Sequence, residues 1–506
     1  MKRYRNRTTK WNIIFQYLNI VFNLITGIVL VPFYLENITT EMYGYWLATG
    51  SILAMITLVD PGFGTVLQQK IAILYGQRNF KEVGQITLIG ILINIPFLII
   101  FIILCLIFSF TLTHWFNLTD INVLNSLTNA FNYTFIGTAI LLLSYSIISI
   151  NQGLQSSIAI GIINVFSSLS GIFLTIFLLK LGWGIAAIAT TILWRSIVVF
   201  IGNLVYLGFR LKKENITLSY NPKLFKEIAS FSIYTFLGKM GNAFSTQLNS
   251  FVSGTMISAT SVSILKFTQI LPETSKTVID RPAYALMPAL SNLYGENDST
   301  IKIKAIILRF IRFIIWGIGI IAIIFFKLNQ SFVYLWVGDE FYGGYLLNNL
   351  IIILVILTLL SNSLSYFVFA LGNIKKSNLM LFWKSLLLVP MLFLGAHHWG
   401  LVGILTAQII AELLIPTWYF PFSLFKMIRC DKNDIISISC EFFKVLLVVL
   451  PFFIISNPIL TKWLTLIIYG ISYCCIYFCL IFLVSKKFRM EINDILMQIR
   501  VKLHLI

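Results

Sequence analysis

Residues 83–110 read VGQITLIGILINIPFLIIFIILCLIFSF, a run of 28 residues without one charged side chain. Crossing the ~30 Å hydrocarbon core of a bilayer takes about 20 mostly apolar residues in a helix. A stretch of this length and composition therefore predicts a transmembrane helix, and the same test applied to the rest of the chain decides the fold class.

The whole chain has the composition of a membrane protein. Of its 506 residues 58% are apolar and 11% are charged, whereas soluble domains average about 45–50% apolar and about 25% charged residues. Fourteen stretches pass the length test, at 11–34, 42–75, 83–110, 130–150, 157–179, 183–209, 224–253, 259–293, 303–326, 345–371, 378–395, 400–425, 439–456 and 462–484. The predicted fold is an all-α polytopic membrane protein of about 14 transmembrane helices.

Lysine and arginine concentrate in every second connecting segment. With the amino terminus inside, the inner segments hold 27 Lys and Arg, whereas the outer segments hold three: Lys180, Lys327 and Lys462. Cytoplasmic loops carry such an excess by the positive-inside rule. We therefore predict that both termini lie in the cytoplasm, and we attribute the net charge of +18 to these loops and not to a nucleic-acid partner.

The loops carry no motif for nucleotide hydrolysis or metal binding. A G-x-x-x-x-G-K-[ST] phosphate loop is absent, and the adjacent pair His397-His398 lacks metal-ligand spacing. The outer segments are short and hold few acidic residues (Glu36, Glu41, Asp120, Asp339 and Glu340), whereas a glycan polymerase usually carries its acid and base carboxylates on a sizeable outer loop. These features disfavour an enzyme, predict neither a metal nor a cofactor, and favour a transporter.

Polar residues recur at helical spacing inside three predicted spans. They are Asn12, Gln16, Asn19, Asn23 and Thr26 in the first, Lys239, Asn242, Thr246, Asn249 and Ser253 in the seventh, and Lys266, Gln269, Glu273, Lys276 and Asp280 in the eighth. Steps of three and four residues place each set on one helix face. Such a face cannot meet lipid along its whole length, so we expect each to line protein or a water-filled cavity.

Charged side chains within the predicted spans are more often basic than acidic. The cations are Arg195, Lys239, Lys266, Lys276, Arg281, Lys384 and Lys444, and the acids are Asp60, Glu273, Asp280, Glu412 and Glu441. A charge at the centre of a span costs about 2.5–3.5 kcal/mol on insertion scales, so each needs a partner or a role.

Structural explanations stay open for several of these charges. Lys239 with Glu273, and likewise Lys384 with Glu412, have the depth expected of ion pairs that only stabilise the fold. Lys266 lies nearer a span end, where a lysine can extend its amine to the interface. Asp60, Asp280 and Arg281 lie far along long helices, where snorkelling or helix-end pairing is an alternative to a gating role.

Several sequence segments resemble one known family. They are residues 10–32 (KWNIIFQYLNIVFNLITGIVLVP), Tyr43-Gly44-Tyr45-Trp46, Asp60-Pro61-Gly62-Phe63-Gly64 leading into Lys70-Ile71-Ala72, and Met287-Pro288-Ala289-Leu290-Ser291. In these segments the chain is similar to bacterial polysaccharide-biosynthesis flippases of the Wzx type, in the multidrug/oligosaccharidyl-lipid/polysaccharide exporter superfamily. A weak internal repeat, Asp60-Pro61-Gly62 to Leu74-Tyr75-Gly76 and Asp280-Arg281-Pro282 to Leu293-Tyr294-Gly295, agrees with a two-half architecture.

The resemblance implies a fold, a cargo and a location. The fold would be two six-helix lobes plus two C-terminal helices, with lobes at 1–209 and 227–425, a cytoplasmic linker at 210–226, and two further helices with a basic tail at 426–506. The cargo would be a polyprenyl-pyrophosphate-linked oligosaccharide, such as an O-antigen or other lipopolysaccharide repeat unit. It would be flipped from the cytoplasmic to the outer leaflet of the bacterial cytoplasmic (inner) membrane by alternating access.

The polar residues fit such a cargo, since a pyrophosphate needs cations and a sugar needs amide or hydroxyl groups. The expected cationic ligands are Lys239, Lys266, Lys276, Arg281, Arg195 and Lys384, and the expected sugar ligands are Asn19, Asn23, Asn242 and Asn249. The expected coupling or gating carboxylates are Asp60, Glu273, Asp280 and Glu412. Of these, Asp60, Glu273 or Glu412 would bind a coupling ion, H⁺ or Na⁺. Membrane lipids and other glycan-assembly membrane proteins are the further partners expected.

Three other functions remain open from the sequence. A peptidoglycan-precursor flippase carries a similar anionic lipid-linked sugar. A cation or drug antiporter of the same superfamily needs an acidic cleft, which the excess of buried cations disfavours. A membrane glycan polymerase or ligase belongs to a different class of protein and is the least favoured.

Overall fold

The protein is an all-α polytopic membrane protein. The structure is a computed structural model. It describes residues 25–58, 63–116, 120–294, 300–454 and 459–503 together with Phe15, Leu18 and Phe22. A π-helical turn, Ile25–Val29, precedes the first α-helix, and none of the described residues forms a β-strand.

Seventeen α-helices follow along the described chain. They are α1 (Leu30–Asn37), α2 (Thr40–Leu58), α3 (Phe63–Gly76), α4 (Phe80–Leu92), α5 (Asn94–Phe116), α6 (Ile121–Gly153), α7 (Ser157–Lys180), α8 (Ile185–Lys213), α9 (Pro222–Met256), α10 (Ala259–Tyr294), α11 (Thr300–Trp336), α12 (Gly344–Ala370), α13 (Ile374–Leu414), α14 (Pro416–Met427), α15 (Lys432–Ile454), α16 (Trp463–Val484) and α17 (Lys486–Leu503). A 3₁₀ turn, Asp339–Phe341, separates α11 from α12.

Polar side chains cap the starts of several helices. Asn79 accepts a hydrogen bond from the backbone N–H of Glu82 at 3.3 Å before α4, and Asp120 accepts one at 2.8 Å before α6. Asn221 caps α9 in the same way and is followed by Pro222, which needs no hydrogen-bond acceptor at a first helical position.

Among the described residues, nine helical segments have the length and apolar composition to cross a membrane. They overlap ten of the spans expected from the sequence, because the predicted spans 378–395 and 400–425 fall within one continuous segment, Lys375–Met427. The predicted spans 224–253 and 259–293 are also helical, as α9 and α10. The total of fourteen spans, the orientation of the termini and the predicted lobe boundaries stay predictions.

Two helix interruptions follow from local backbone chemistry. The sequence predicted one helix over 83–110, whereas the structure ends α4 at Leu92. Pro96 cannot donate to the carbonyl of Leu92 and its ring crowds that oxygen. Within α13 the chain kinks at Gly400, whose φ of 57° lies in the left-handed region that glycine adopts at little cost.

Two regions are more helical than the sequence indicated. The predicted span 303–326 ends ten residues before α11 does, so Lys327, expected in an outer segment, lies inside a helix and is 2% exposed. Its amine lies 5.2 Å from the centroid of the Phe326 ring. Leu328, Phe332 and Trp336 are buried along the same helix. Because their spacing of four residues places them on one buried face, the packing of this face stabilises the additional turns of α11. The basic tail after residue 485 forms α17.

The described residues cluster into two compact units. The first contains the described parts of Met1–Ser263 together with Leu381–Gly400. There α6 packs along α8, where the side-chain amide of Asn151 donates to the carbonyl of Asn203 at 3.0 Å. Gly137 lies so close to α8 that a Cβ would come within 2.9 Å of the Cα of Leu193, so a small residue permits this packing.

The second unit contains the described parts of Ile264–Met380 and Leu401–Ile506. Within it α11 packs against α12, α15 and α16. The Asn329 amide donates to the side chain of Asn348 at 2.7 Å and to the backbone of Thr268 at 2.8 Å, so these buried polar groups join three helices.

A buried carboxylate connects the last helices to α11. Glu441 is 1% exposed and accepts hydrogen bonds from the Lys444 amine at 2.8 Å, the Ser485 hydroxyl at 2.6 Å and the Trp316 indole at 3.3 Å. The Tyr477 hydroxyl donates to the carbonyl of Trp316 at 2.7 Å. Because its charge is matched by a lysine and its oxygens by donors, Glu441 acts in this unit as a structural group.

Candidate functional site

Arg195 is a residue of α8 in the first unit, and its side chain contacts α7. The side chain is half-buried, and its guanidinium donates to the hydroxyl of Ser168 at 3.3 Å. Its aliphatic part passes over Gly171, where a Cβ would come within 2.7 Å of the arginine Cδ. Gly171 therefore provides the space in which the long side chain lies along α7.

The surroundings of Arg195 supply hydroxyl groups. The Tyr34 hydroxyl of α1 interacts electrostatically with the guanidinium, and the Tyr34 ring lies 5.9 Å from that of Tyr43. Among the described residues no carboxylate forms an ion pair with Arg195. A guanidinium in this environment keeps its charge and has N–H groups left for an anionic ligand.

Helix α10 in the second unit carries the predicted charged face. Lys266, Glu273 and Lys276 are half-buried, Asp280 is 7% exposed, and Arg281 is exposed. Within the described part of the chain, neither Lys266 nor the Glu273 carboxylate forms a side-chain hydrogen bond or an ion pair. The part of this face that carries Lys266 and Glu273 therefore presents polar groups that are open to a ligand.

Toward the carboxyl-terminal end of α10, the charged side chains of this face form a local cluster. Lys276 and Arg281 are the charged neighbours of the Asp280 carboxylate. Tyr366 of α12 interacts electrostatically with both Asp280 and Arg281, and its ring lies 5.4 Å from that of Tyr284 in a T-shaped arrangement. Asp280 thus offsets part of the positive charge at this end of the helix.

Glu412 and Lys384 lie in different units. Glu412 is 1% exposed and accepts a hydrogen bond from Ser361 of α12. Lys384 is half-buried in the part of α13 that belongs to the first unit. The ion pair suggested by the sequence stays a prediction.

Asn249 in α9 has a buried polar atom without a partner. Its side-chain oxygen accepts no hydrogen bond from the described residues, and neither does the hydroxyl of Ser253, one turn further along. Leaving such groups unsatisfied costs about 1–3 kcal/mol each. This face of α9 therefore has unused capacity for a water molecule or a sugar hydroxyl.

The remaining predicted site residues lie outside the described parts. Asn19, Asn23 and Asp60 are not among the described residues, and the side chains of Lys239 and Asn242 are not described. Their roles, and the pairing of Lys239 with Glu273, stay predictions. Among the described His, Cys, Asp and Glu side chains, no group of three or more could hold a metal ion.

Three residues at these sites could not be identified from the sequence. Tyr34, Ser168 and Tyr366 neighbour the predicted charges, but the chain has 21 tyrosines and no period distinguishes these positions. The polar helix spacing that identified the α10 face does not reveal neighbours contributed by other helices.

Residues 10–294, more than half of the chain, match the polysaccharide biosynthesis protein family. A protein of Yersinia pseudotuberculosis assigned as an O-antigen export protein is 24% identical over 408 residues, which cover 77% of this chain and 89% of that protein.

Solved structures share the fold at low sequence identity. The lipid II flippase MurJ in an inward closed conformation is 15% identical with a TM-score of 0.64, covering 93% of this chain and 98% of that one. An inward-facing multidrug-resistance transporter of the MATE family, in the MOP superfamily, is 15% identical with a TM-score of 0.61, covering 83% and 94%. A MOP-superfamily transporter of Pyrococcus furiosus is 16% identical with a TM-score of 0.57, covering 84% and 96%. From its sequence match, the chain belongs to the polysaccharide biosynthesis protein family.

Proposed function

We propose that this protein flips a polyprenyl-pyrophosphate-linked oligosaccharide, an O-antigen or similar surface-polysaccharide unit, from the cytoplasmic to the outer leaflet. The observation that carries this proposal is Arg195, a half-buried cation that forms no ion pair with a carboxylate among the described residues. The family supports a polysaccharide pathway, and the Yersinia relative supports export of an O-antigen.

The chemistry around Arg195 suits a diphosphate linked to a sugar. A planar guanidinium donates two parallel hydrogen bonds to phosphate oxygens, and such charge-assisted bonds are roughly twice as strong as neutral ones. The hydroxyls of Ser168 and Tyr34 add neutral partners next to the cation. Asn249, with an unused side-chain oxygen, is a partner for sugar hydroxyls.

The cations of α10 are the second set of headgroup ligands in this proposal. Lys266 and Lys276 attract the headgroup, with Arg281, Lys239 and Lys384 as further contributors. The lipid tail stays in the bilayer while the headgroup crosses, and the two halves open alternately to each side. An H⁺ or Na⁺ gradient drives the cycle through carboxylates such as Asp280, Glu273 or Glu412.

The alternatives receive less support. A cation or drug antiporter would place a cationic cargo beside Arg195 and Lys266, which repel it. A peptidoglycan-precursor flippase would share the anionic headgroup, but its support is a likeness of fold at 15% identity. A polymerase or ligase would need a sizeable outer loop for its acid and base carboxylates, whereas the polar segments of this sequence run to roughly twenty residues at most.

The proposal is tested by transport in proteoliposomes containing the full chain and a fluorescent polyprenyl-pyrophosphate oligosaccharide. Flipping exposes the glycan to a membrane-impermeant reagent, so the modified fraction reports the rate. We expect Arg195→Gln and Lys266→Gln each to slow flipping about tenfold, which corresponds to ~1.4 kcal/mol of lost binding.

The matched control is Lys212→Gln, which removes an exposed cation from the same helix as Arg195. It should flip the substrate at the wild-type rate. If all variants flip the substrate at the same rate, Arg195 and Lys266 are not ligands. If vesicles with and without protein flip it at the same rate, the proposed function is wrong. Preference for lipid II over other glycan headgroups would favour the peptidoglycan alternative.

A further inference from the structure

Helix α17 turns its acidic side toward the protein. Phe488 is 5% exposed, with its ring centroid 4.8 Å from that of Trp316 in α11. Glu491 is 9% exposed and forms ion pairs with Arg309 at 2.5 Å and Arg312 at 3.3 Å. An aromatic contact and two ion pairs thus fix which face of α17 points inward.

The outward face of α17 combines cations with large apolar side chains. Lys486, Arg489, Met490 and Met497 are all exposed, the two methionines by 58% and 63%. At 100° per residue these four positions lie on one side of the helix, with Asp494 at its edge. Two exposed methionines are not expected on a helix face that is surrounded by water. Cations beside apolar residues are instead typical of helices lying in a membrane interface.

Near the start of α17, one lysine pairs with two acidic residues and offsets part of their negative charge. Lys304 at the start of α11 binds Asp431 at 3.0 Å and Asp434 at 2.5 Å. The amine of Lys487 donates to Ser437, which places the start of α17 against the start of α15.

Other cations of this region do not take part in these ion pairs and are exposed at the surface. Lys302, Arg429 and Lys432 are exposed near these ion pairs. Together with Lys486 and Arg489 they make the exposed charge around α17 positive.

We propose that the outward face of α17 and the neighbouring exposed cations bind anionic phospholipids of the membrane that the protein spans. The cations contact the phosphate groups, and Met490 and Met497 enter the boundary between headgroups and acyl chains. The ligand must offer negative charge and hydrocarbon side by side, which a phospholipid does and free phosphate does not. This inference is independent of the transported substrate.

Amide hydrogen exchange of α17 in the full-length protein tests the proposal. The protein is placed in nanodiscs of phosphatidylcholine or of phosphatidylglycerol with the same acyl chains. Each basic residue near an anionic surface is worth ~1 kcal/mol, so two cations should slow exchange of α17 about 25-fold in phosphatidylglycerol. Inorganic phosphate added to phosphatidylcholine nanodiscs should produce no such slowing.

Variants separate lipid binding from docking on α11. Lys486→Gln with Arg489→Gln should abolish most of the difference between the two lipids. Lys180→Gln, which removes an exposed lysine at the end of α7, should preserve it. Glu491→Gln should speed exchange in both lipids alike, because it weakens only the contact with Arg309 and Arg312. Equal exchange of wild-type α17 in both lipids, or a full lipid effect in the double variant, would overturn the proposal.

Discussion

Arg195 in the first unit and Glu441 in the second are both charges set among apolar helices, and they are held in opposite ways. Glu441 is 1% exposed and has a lysine, a hydroxyl and an indole as donors. Arg195 is half-buried beside hydroxyl groups, without a carboxylate in an ion pair among the described residues.

The partners of a charged side chain in a membrane span distinguish a structural role from a functional one. A buried charge with a full set of partners adds specificity to packing and cannot bind a ligand without first losing those partners. A charge that has only neutral neighbours still needs a counterion, which a substrate can provide. Stability should therefore depend on Glu441, and transport should depend on Arg195.

The largest effect is expected from removing the fully paired carboxylate. Glu441→Ala should lower the free energy of unfolding by about 3 kcal/mol, because the buried Ser485 hydroxyl and Trp316 indole lose their acceptor and Lys444 loses its counterion. Thermal unfolding in detergent measures the loss. Glu340→Ala, at an exposed acid in the same unit, should stay within about 0.5 kcal/mol of wild type. A Glu441→Ala protein as stable as wild type would contradict the structural role.

A conservative change at Arg195 should affect transport and leave folding intact. Arg195→Lys keeps the charge but loses the planar fork, so we expect flipping about three- to fivefold slower, less than the tenfold loss for Arg195→Gln. The unfolding midpoint should stay within about 2 °C of wild type because no ion pair is broken. The initial flipping rate per folded protein is the readout. A midpoint that falls in step with transport would mean that Arg195 is structural after all.

Ser485→Ala should have a smaller effect on stability than loss of Glu441 itself. The hydroxyl donates to Glu441 at 2.6 Å and accepts from the backbone N–H of Phe488 at 3.1 Å. Its removal should cost about 1–2 kcal/mol, with thermal unfolding as the measurement. Ser472→Ala is the matched control, because that exposed hydroxyl bonds only within α16. Equal midpoints for the two variants would show that the network is not cooperative.

The smallest effect is expected from the glycine beneath Arg195. Gly171→Ala places a methyl group 2.7 Å from the Cδ of Arg195, so the flexible side chain must shift. We expect flipping about two- to threefold slower and a stability change of about 1 kcal/mol or less. Gly208→Ala has nothing within 4 Å of its new Cβ and should transport normally. If both variants flip equally fast, the position of Arg195 is not critical.

The sequence predicted the all-α membrane fold because apolar runs and their flanking charges are local signals. The polar face of α10 was predictable for the same reason, since residues 266, 273, 276 and 280 follow helical spacing. The sequence also placed Arg195 among the cations inside the predicted spans and among the expected ligands.

Contacts between distant residues were not predictable from such local patterns. Tyr366 interacts electrostatically with Asp280 across 86 positions in the chain, and Ser485 bonds Glu441 across 44. Lys327 was placed in a loop because a lysine usually ends a span, whereas here the helix continues and buries it. Only packing determines which charges find partners, so the sequence alone did not show that Glu441 binds Lys444, Ser485 and Trp316.

The most direct test of the central claim compares binding of a polyprenyl pyrophosphate and the corresponding neutral polyprenol to the purified protein by native mass spectrometry. We expect the wild-type protein to prefer the pyrophosphate. Arg195→Gln should lose about tenfold of that preference, equivalent to ~1.4 kcal/mol, without a change in polyprenol binding. An unchanged preference in Arg195→Gln would contradict the claim that this cation binds the headgroup.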